Sequence, residues 1–459
     1  MNYVSTRGAS RGETFASVLL SGLAPDGGLY VPETLKPFSA DEVDSYREAS
    51  YAAVAKRIIG HFAGDSLSGE IINASVDSAL SRFHHAAIAP LRQLEEDTWL
   101  LELFHGPTFA FKDYALQIVG ELIDRQLSAE NRRATILCAT SGDTGAAAAA
   151  AFAGRANVDV VVLHPLGRVS DVQRRQMTTL PDENVRNFAV KGDFDDCQSM
   201  VKKLFLDADA KPLNLTAVNS INWARIICQT VYYVWSSLKL SASGPVNYVV
   251  PTGNFGNILA ADIARILGFP VGKLMLSSNE NDVLPRFFSS GSMECRDTVE
   301  TLSPSMDIQL SSNFERALWM ALDNDSATVA DVQKQLSESG SYSLVEDSLY
   351  KLRQRYSAAA CNRDQALEEM RRAERESAVV LCPHTATAAY ASRHSGFDGT
   401  TVVVGTAHPA KFTQAVEIAL GHPADMPKLL APVLEAEERF ETIDTDAAGL
   451  RDLLLNKQA

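Results

Sequence analysis

From residue 134 onward the chain repeats one unit: a short β-branched run, a loop rich in Gly, Ser or Thr, then a helix-forming stretch. The run 134–139 leads into Ser141-Gly142-Asp143-Thr144-Gly145 and an alanine-rich helix. Runs at 158–163 and 185–190 follow, ahead of helices from about 171 and from 194 to 206. The run 247–250 leads into Thr252-Gly253-Asn254-Phe255-Gly256-Asn257 and a helix through Leu267, and runs at 273–276, 378–381 and 401–404 complete the set. Short apolar strands alternating with helices predict parallel sheets covered on both faces. Right-handed crossovers then gather the strand-to-helix loops on one sheet edge, where ligands bind in open α/β folds. The pattern therefore predicts an α/β protein with two parallel-sheet domains and its functional residues in those loops.

The flanking segments differ. Residues 1–92 read as a small N-terminal domain, with the turn-rich Ser21-Gly22-Leu23-Ala24-Pro25-Asp26-Gly27-Gly28-Leu29-Tyr30 and a helix over 42–59. A strand-like run at 99–103 opens an α/β region over 93–245, and a second α/β region spans 246–459. Inside the latter, residues 282–375 are charged, broken by Ser, Asn and Asp, and helical at 344–356 and 364–374, which predicts a helical insertion.

A length of 459 residues suits two or three domains. The net charge of -15 leaves no basic excess for phosphate backbones and argues against nucleic acid as the natural partner. Six cysteines lie far apart with no zinc-ligand or redox spacing, so neither a metal site nor a disulfide framework is expected. They read as buried thiols of a reducing compartment. The first residues lack the apolar core of a signal peptide and no stretch is apolar enough to span a bilayer, so a cytoplasmic protein is expected.

Five segments carry candidate chemistry. Lys112 stands in His105-Gly106-Pro107-Thr108-Phe109-Ala110-Phe111-Lys112-Asp113-Tyr114. An apolar pocket there would lower its pKa and make it a nucleophile, whereas a lysine extending past its aromatic neighbours to water would be inert. In Thr252 to Asn257, glycines let the backbone approach a ligand, and unpaired N–H groups at a helix start point at an anion. Spacing fits neither a dinucleotide fingerprint nor a P-loop, and reads as a cup for a single phosphate. Ser141 and Thr144 could bind a carboxylate, with capping of the alanine helix by Asp143 or Thr144 as the alternative. Ser220, Asn222 and Arg225 begin another helix, and Arg225 could grip a phosphate or instead form a surface salt bridge. The loop after residue 404, Gly405-Thr406-Ala407-His408-Pro409-Ala410-Lys411-Phe412, ends a strand, although His408 and Lys411 also suit an ordinary helix start.

These segments, with Tyr3-Val4-Ser5-Thr6-Arg7-Gly8 and Ala24 to Tyr30, occur in an order that resembles the threonine synthase family of longer form. That family belongs to the pyridoxal-phosphate enzymes of fold type II, which are tryptophan synthase β-like. The resemblance spans nearly the whole chain. It implies that Lys112 holds pyridoxal 5'-phosphate as a Schiff base and that Gly253, Asn254, Phe255, Gly256 and Asn257 cradle its phosphate. It also implies that Thr406 partners the pyridine nitrogen, and that Asp143 stands where many related enzymes carry Asn against the phenolic oxygen. A neutral hydroxyl at Thr406 makes the cofactor a milder electron sink than a carboxylate would.

The implied reaction converts O-phospho-L-homoserine and water to L-threonine and inorganic phosphate, the last step of threonine biosynthesis. Lys112 acts at Cα, phosphate leaves Cγ and water adds at Cβ. Ser141 and Thr144 are candidates for the substrate carboxylate, and Ser220, Asn222 and Arg225 for its phosphate. A serine or threonine dehydratase, which needs no second phosphate pocket, is the alternative within fold type II. A non-catalytic cofactor-binding homologue is the alternative outside catalysis.

Overall fold

The computed structural model describes residues 1–456 and contains two main sheets. The larger has six strands, in the order Ser357–Ala360, Val271–Ser278, Val246–Pro251, Thr401–Gly405, Thr98–Glu102 and Leu91–Gln93. All neighbours are parallel except the last pair, in which Leu91 faces Leu101. The smaller has five parallel strands, Glu441–Ile443, Val185–Val190, Val158–Pro165, Ala134–Ala139 and Leu215–Thr216. Central strands such as Val246–Pro251 are buried at every position, as helices on both faces require. A third, antiparallel sheet joins Arg11–Glu13, Tyr3–Ser5 and Tyr30–Pro32.

The chain crosses between the sheets more often than the expected division at 245 and 246 allows. Thr98–Glu102, placed by sequence in the first α/β region, pairs in the larger sheet with Thr401–Gly405, Val402 facing Trp99. Glu441–Ile443, placed in the second region, pairs with Val185–Val190 in the smaller sheet. The expected insertion over 282–375 is shorter, because Ser357–Ala360 is an edge strand of the larger sheet and Arg363–Ser377 packs on Pro383–Arg393. No strand forms at 378–381: Ala378 takes a left-handed conformation that ends the preceding helix, and Val379 and Leu381 are buried as loop residues. The helix expected over 42–59 is two, Ala40–Ser45 and Tyr51–Ala63, because Ser50 caps the second by accepting from the Ala53 N–H.

Two helices set the site. Lys112–Ala129 is buried along most of its length, and Asp143–Phe152 packs against it with an alanine surface. A Cβ at Gly120 would stand 2.8 Å from the Ala151 carbonyl, so glycine and alanine let the axes approach closely. Each fully buried Ile, Leu or Val on the first helix stabilises by about 1.5–3 kcal/mol, which fixes the N-termini of both helices side by side.

Candidate functional site

Lys112 and Thr406 come from adjacent loops. Thr98–Glu102 and Thr401–Gly405 run parallel, and the segments that leave them stay paired. Leu103 N–H donates to the Gly405 carbonyl at 2.9 Å, Phe111 N–H to the Thr406 carbonyl at 2.8 Å, and His408 N–H to the Phe109 carbonyl at 3.0 Å. Asp113 shapes the first segment by accepting from the Thr108 N–H at 2.8 Å and the Thr108 hydroxyl at 2.7 Å. Gly106 has no Cβ because one would stand 2.4 Å from the Asp113 side chain. Phe109 adopts a positive φ of 58°, a strained conformation held by these contacts.

Lys112 is buried, and its Nζ lies 3.5 Å from Asp143 Oδ2 and 4.8 Å from the Phe111 ring centre. Asp143 also receives Lys411 Nζ at 2.8 Å and Gln173 Nε2 at 2.8 Å on Oδ1. Lys411, fully buried, donates further to the Thr108 carbonyl at 2.6 Å. Burial first, then the Lys411 and Arg225 cations, lower the Lys112 ammonium against the opposing pull of Asp143. Burial acts to raise the Asp143 carboxyl, but Lys411, then Lys112, and hydrogen bonds from Lys411 and Gln173 hold it far below the usual carboxylate range. Burial takes His384, nearby, down to about 3, so its imidazole is neutral. Lys112 and Lys411 meet on Asp143, and with Arg225 acting on Lys112 these buried cations give the site positive potential suited to phosphorylated ligands.

The loop after Val246–Pro251 completes the edge. The backbone N–H groups of Gly253, Asn254, Phe255, Gly256 and Asn257 bond no other described group and stand at the start of helix Gly256–Ile266. Phe255, at φ 61°, turns its backbone there while its ring packs on Phe314 and Tyr356. A Cβ at Gly253 would meet the Ser305 carbonyl at 2.7 Å. Asn257 Oδ1 accepts from the Tyr232 hydroxyl at 2.5 Å and the Tyr233 hydroxyl at 2.8 Å. Thr406 Oγ1 is buried without a partner among the described residues.

The other expected residues divide. Ser141 and Thr144 are half-buried, with hydroxyls bonded to no described residue. Ser220 lies beside the cup: its hydroxyl is 3.3 Å from that of Ser312, which donates to Asn254 Oδ1 at 3.1 Å. Arg225 is buried, with Nη1 on the Val218 carbonyl at 2.8 Å and Nε unpaired among the described residues. Burial brings it down to about 10, and it is close enough to depress Lys112. It is therefore not a surface salt bridge. Asn222 is a correction: its Oδ1 caps the helix Trp223–Leu240 through the Ala224 N–H at 3.0 Å, and its Nδ2 donates to the Leu19 carbonyl at 3.0 Å. These bonds engage both ends of a fully buried amide.

Sequence reasoning left Lys411 as a polar residue at a helix start and did not single out Gln173, Asn313 or Arg316. The hint for Lys411 was its place after a strand, between Ala410 and Phe412. Asn313 binds the Asn254 carbonyl through both its N–H at 3.1 Å and its Nδ2 at 3.0 Å, and Nδ2 also reaches the Ser220 carbonyl at 3.0 Å. Arg316 bonds Asn313 Oδ1 at 2.5 Å, the Ile221 carbonyl at 2.7 Å and the Tyr30 carbonyl at 2.9 Å. Next to it, Glu315 takes Arg7 in a two-pronged pair and the Thr6 hydroxyl at 2.5 Å. The N-terminal motifs thus brace the cup.

Comparison with known proteins agrees with this geometry. Family models described as threonine synthase N terminus, pyridoxal-phosphate dependent enzyme, and threonine synthase C-terminal match residues 2–80, 85–336 and 384–454. The chain is 44% identical to a threonine synthase of Pseudomonas aeruginosa, over 98% of this chain and 97% of that protein. It is 39% identical to one from Corynebacterium glutamicum, over 99% and 98%. Among solved structures, a PLP-bound threonine synthase from Brucella melitensis superposes with a TM-score of 0.97 at 40% identity, covering 99% of each chain.

Proposed function

The chain belongs to the threonine synthase family, and on that premise we propose how its residues divide the conversion of O-phospho-L-homoserine and water to L-threonine and inorganic phosphate. The enzyme is a pyridoxal-phosphate-dependent lyase of fold type II. When bound, the cofactor supplies a carbonyl that captures the substrate amine and a sink for charge developing on carbon.

The residues present fit that group. Five consecutive unpaired N–H groups at a helix start suit its single phosphate, and charge-assisted bonds of about 1.5–3 kcal/mol each outweigh the ~0.3–1 kcal/mol of the helix dipole. The unpartnered Thr406 hydroxyl suits the ring nitrogen. Lys112, buried with its Nζ between Asp143 Oδ2 and the Phe111 ring, where burial also lowers its ammonium, suits the covalent attachment. This last observation carries the reading.

Once the substrate amine frees it, Lys112 Nζ takes the Cα proton and later returns one. Asp143 Oδ2, facing Lys112, steadies the charged form of that amine. Ser141 and Thr144 hold the substrate carboxylate with their free hydroxyls. Arg225 and Ser220 attract the substrate phosphate, and Asn222 takes no part. The six free cysteines, five of them buried, suit the reducing environment of the cytoplasm. No helix among the described residues is long and apolar enough to cross a membrane.

The test is simultaneous assay of threonine and inorganic phosphate from O-phospho-L-homoserine with the cofactor-loaded enzyme. Equal amounts of both are expected. A keto acid formed from serine or threonine, with no phosphate released from O-phospho-L-homoserine, would move the assignment to a dehydratase.

A further inference from the structure

Lys411 has no role in the steps above, yet it is fully buried at the centre of the site. Its Nζ joins three segments: it belongs to the Thr406 loop, bonds Asp143 Oδ1 at 2.8 Å, and bonds the Thr108 carbonyl of the Lys112 loop at 2.6 Å. Gln173 Nε2 also donates to Oδ1, at 2.8 Å, so that oxygen is engaged and Oδ2 is left to Lys112 at 3.5 Å. Gln173 and Gln176 sit on one helix, Asp171–Thr178, and Gln176 shares the Thr108 carbonyl with Lys411 at 3.1 Å.

A carboxylate whose only buried counter-ion was Lys112 would stand bare each time Lys112 gave up its charge, and the proton would favour returning to that pair. We propose that Lys411 is a positioning residue that fixes Asp143 as a permanent carboxylate, so that Lys112 can lose and regain its proton while Asp143 keeps its charge. This deepens the reading of Lys112 as the reactive amine and rests on it. The charged or titratable groups facing Lys112 are Asp143 from its own helix, Lys411 from the turn Pro409–Phe412 and Arg225 from Trp223–Leu240. His384, at the start of Pro383–Arg393, is neutral, and Asp113 is turned toward Thr108.

The test compares wild type with Lys411→Met and Lys411→Arg, all loaded with pyridoxal phosphate. Two quantities are followed against pH: the visible absorption of the bound cofactor, and kcat and KM for O-phospho-L-homoserine. Removing a cation beside Lys112 makes its nitrogen easier to protonate, so in K411M the absorption midpoint rises by about one pH unit. Its kcat at neutral pH falls by about tenfold and recovers as the pH is raised, with KM nearly unchanged. K411R keeps the wild-type midpoint. An unchanged K411M midpoint, with kcat lowered equally at every pH, overturns the proposal. Should K411M not fold, Lys411→Gln, which removes the charge and keeps a hydrogen-bond donor for Asp143 Oδ1, is read in the same way. A raised midpoint in K411Q supports the proposal and an unchanged one overturns it. A K112A variant that still turns over would instead overturn the role of Lys112, a distinguishable failure.

Discussion

Lys112 Nζ lies 3.5 Å from Asp143 Oδ2, and both residues stand in the first turns of helices packed through glycine and alanine. The separation is set by two helix axes rather than by flexible loops, so the pair is preorganised. Because the folded-state carboxyl is held far down, Asp143 contributes stability that is present above its unfolded pKa of about 3.9 and lost as pH falls through the folded value. Asp143→Asn in the cofactor-free protein should cost about 3–5 kcal/mol at neutral pH, since two buried lysines lose their anion. Denaturant unfolding should show the deficit narrowing below about pH 4. A deficit that stayed constant into acid would contradict the linkage.

Thr406→Val should separate cofactor binding from folding. The Thr406 hydroxyl has no partner among the described residues, so the substitution removes an orphaned polar atom and leaves cofactor-free stability equal or slightly higher. Cofactor affinity should fall by the worth of one hydrogen bond, about 0.5–1.5 kcal/mol. Fluorescence titration with pyridoxal phosphate measures the second and thermal unfolding the first. Equal affinity in T406V would show that the hydroxyl faces no ligand.

Gly253→Ala should damage the cup directly, since the new Cβ would stand 2.7 Å from the Ser305 carbonyl, which is backbone and cannot swing away. Overpacking of this kind costs about 1–3 kcal/mol. Cofactor affinity should drop by at least as much as stability, because the strain falls on the N–H groups themselves. A G253A protein binding cofactor as wild type would place the phosphate elsewhere.

Much of this was legible in the sequence for a physical reason. Buried parallel strands are local β-branched runs, so 185–190 and 401–404 matched observed strands closely, and the loops after strands held the candidate chemistry. What stayed hidden was long-range. Nothing local to residues 98–102 says that they pair with 401–405 rather than with 134–139. Val379 and Leu381 are apolar enough for a strand, but the left-handed Ala378 diverts them into a buried loop. Asn222 has the right chemistry for a phosphate and is taken instead by a helix N-cap and the Leu19 carbonyl. The Lys411 ion pair was illegible because Asp143 lies in another sheet layer, far away in sequence.

Arg316 tests the bracing of the cup by the N-terminal segment. Its guanidinium satisfies Tyr30, Ile221 and Asn313 at once, and Arg316→Met leaves those oxygens unpaired, at about 1–3 kcal/mol each. Limited proteolysis should cut the N-terminal segment faster in R316M, and KM for O-phospho-L-homoserine should rise through the loosened Ser220 and Asn254. Unchanged proteolysis with unchanged KM would show that Arg316 braces neither.

Lys112 is the centre of the whole arrangement, and its replacement is the most direct measurement. Purified wild type and Lys112→Ala, each supplied with pyridoxal phosphate, are assayed for threonine from O-phospho-L-homoserine. Threonine from wild type and none from a folded K112A is the expected result. Near-normal threonine formation by K112A would contradict the assignment of Lys112 as the amine that does the chemistry.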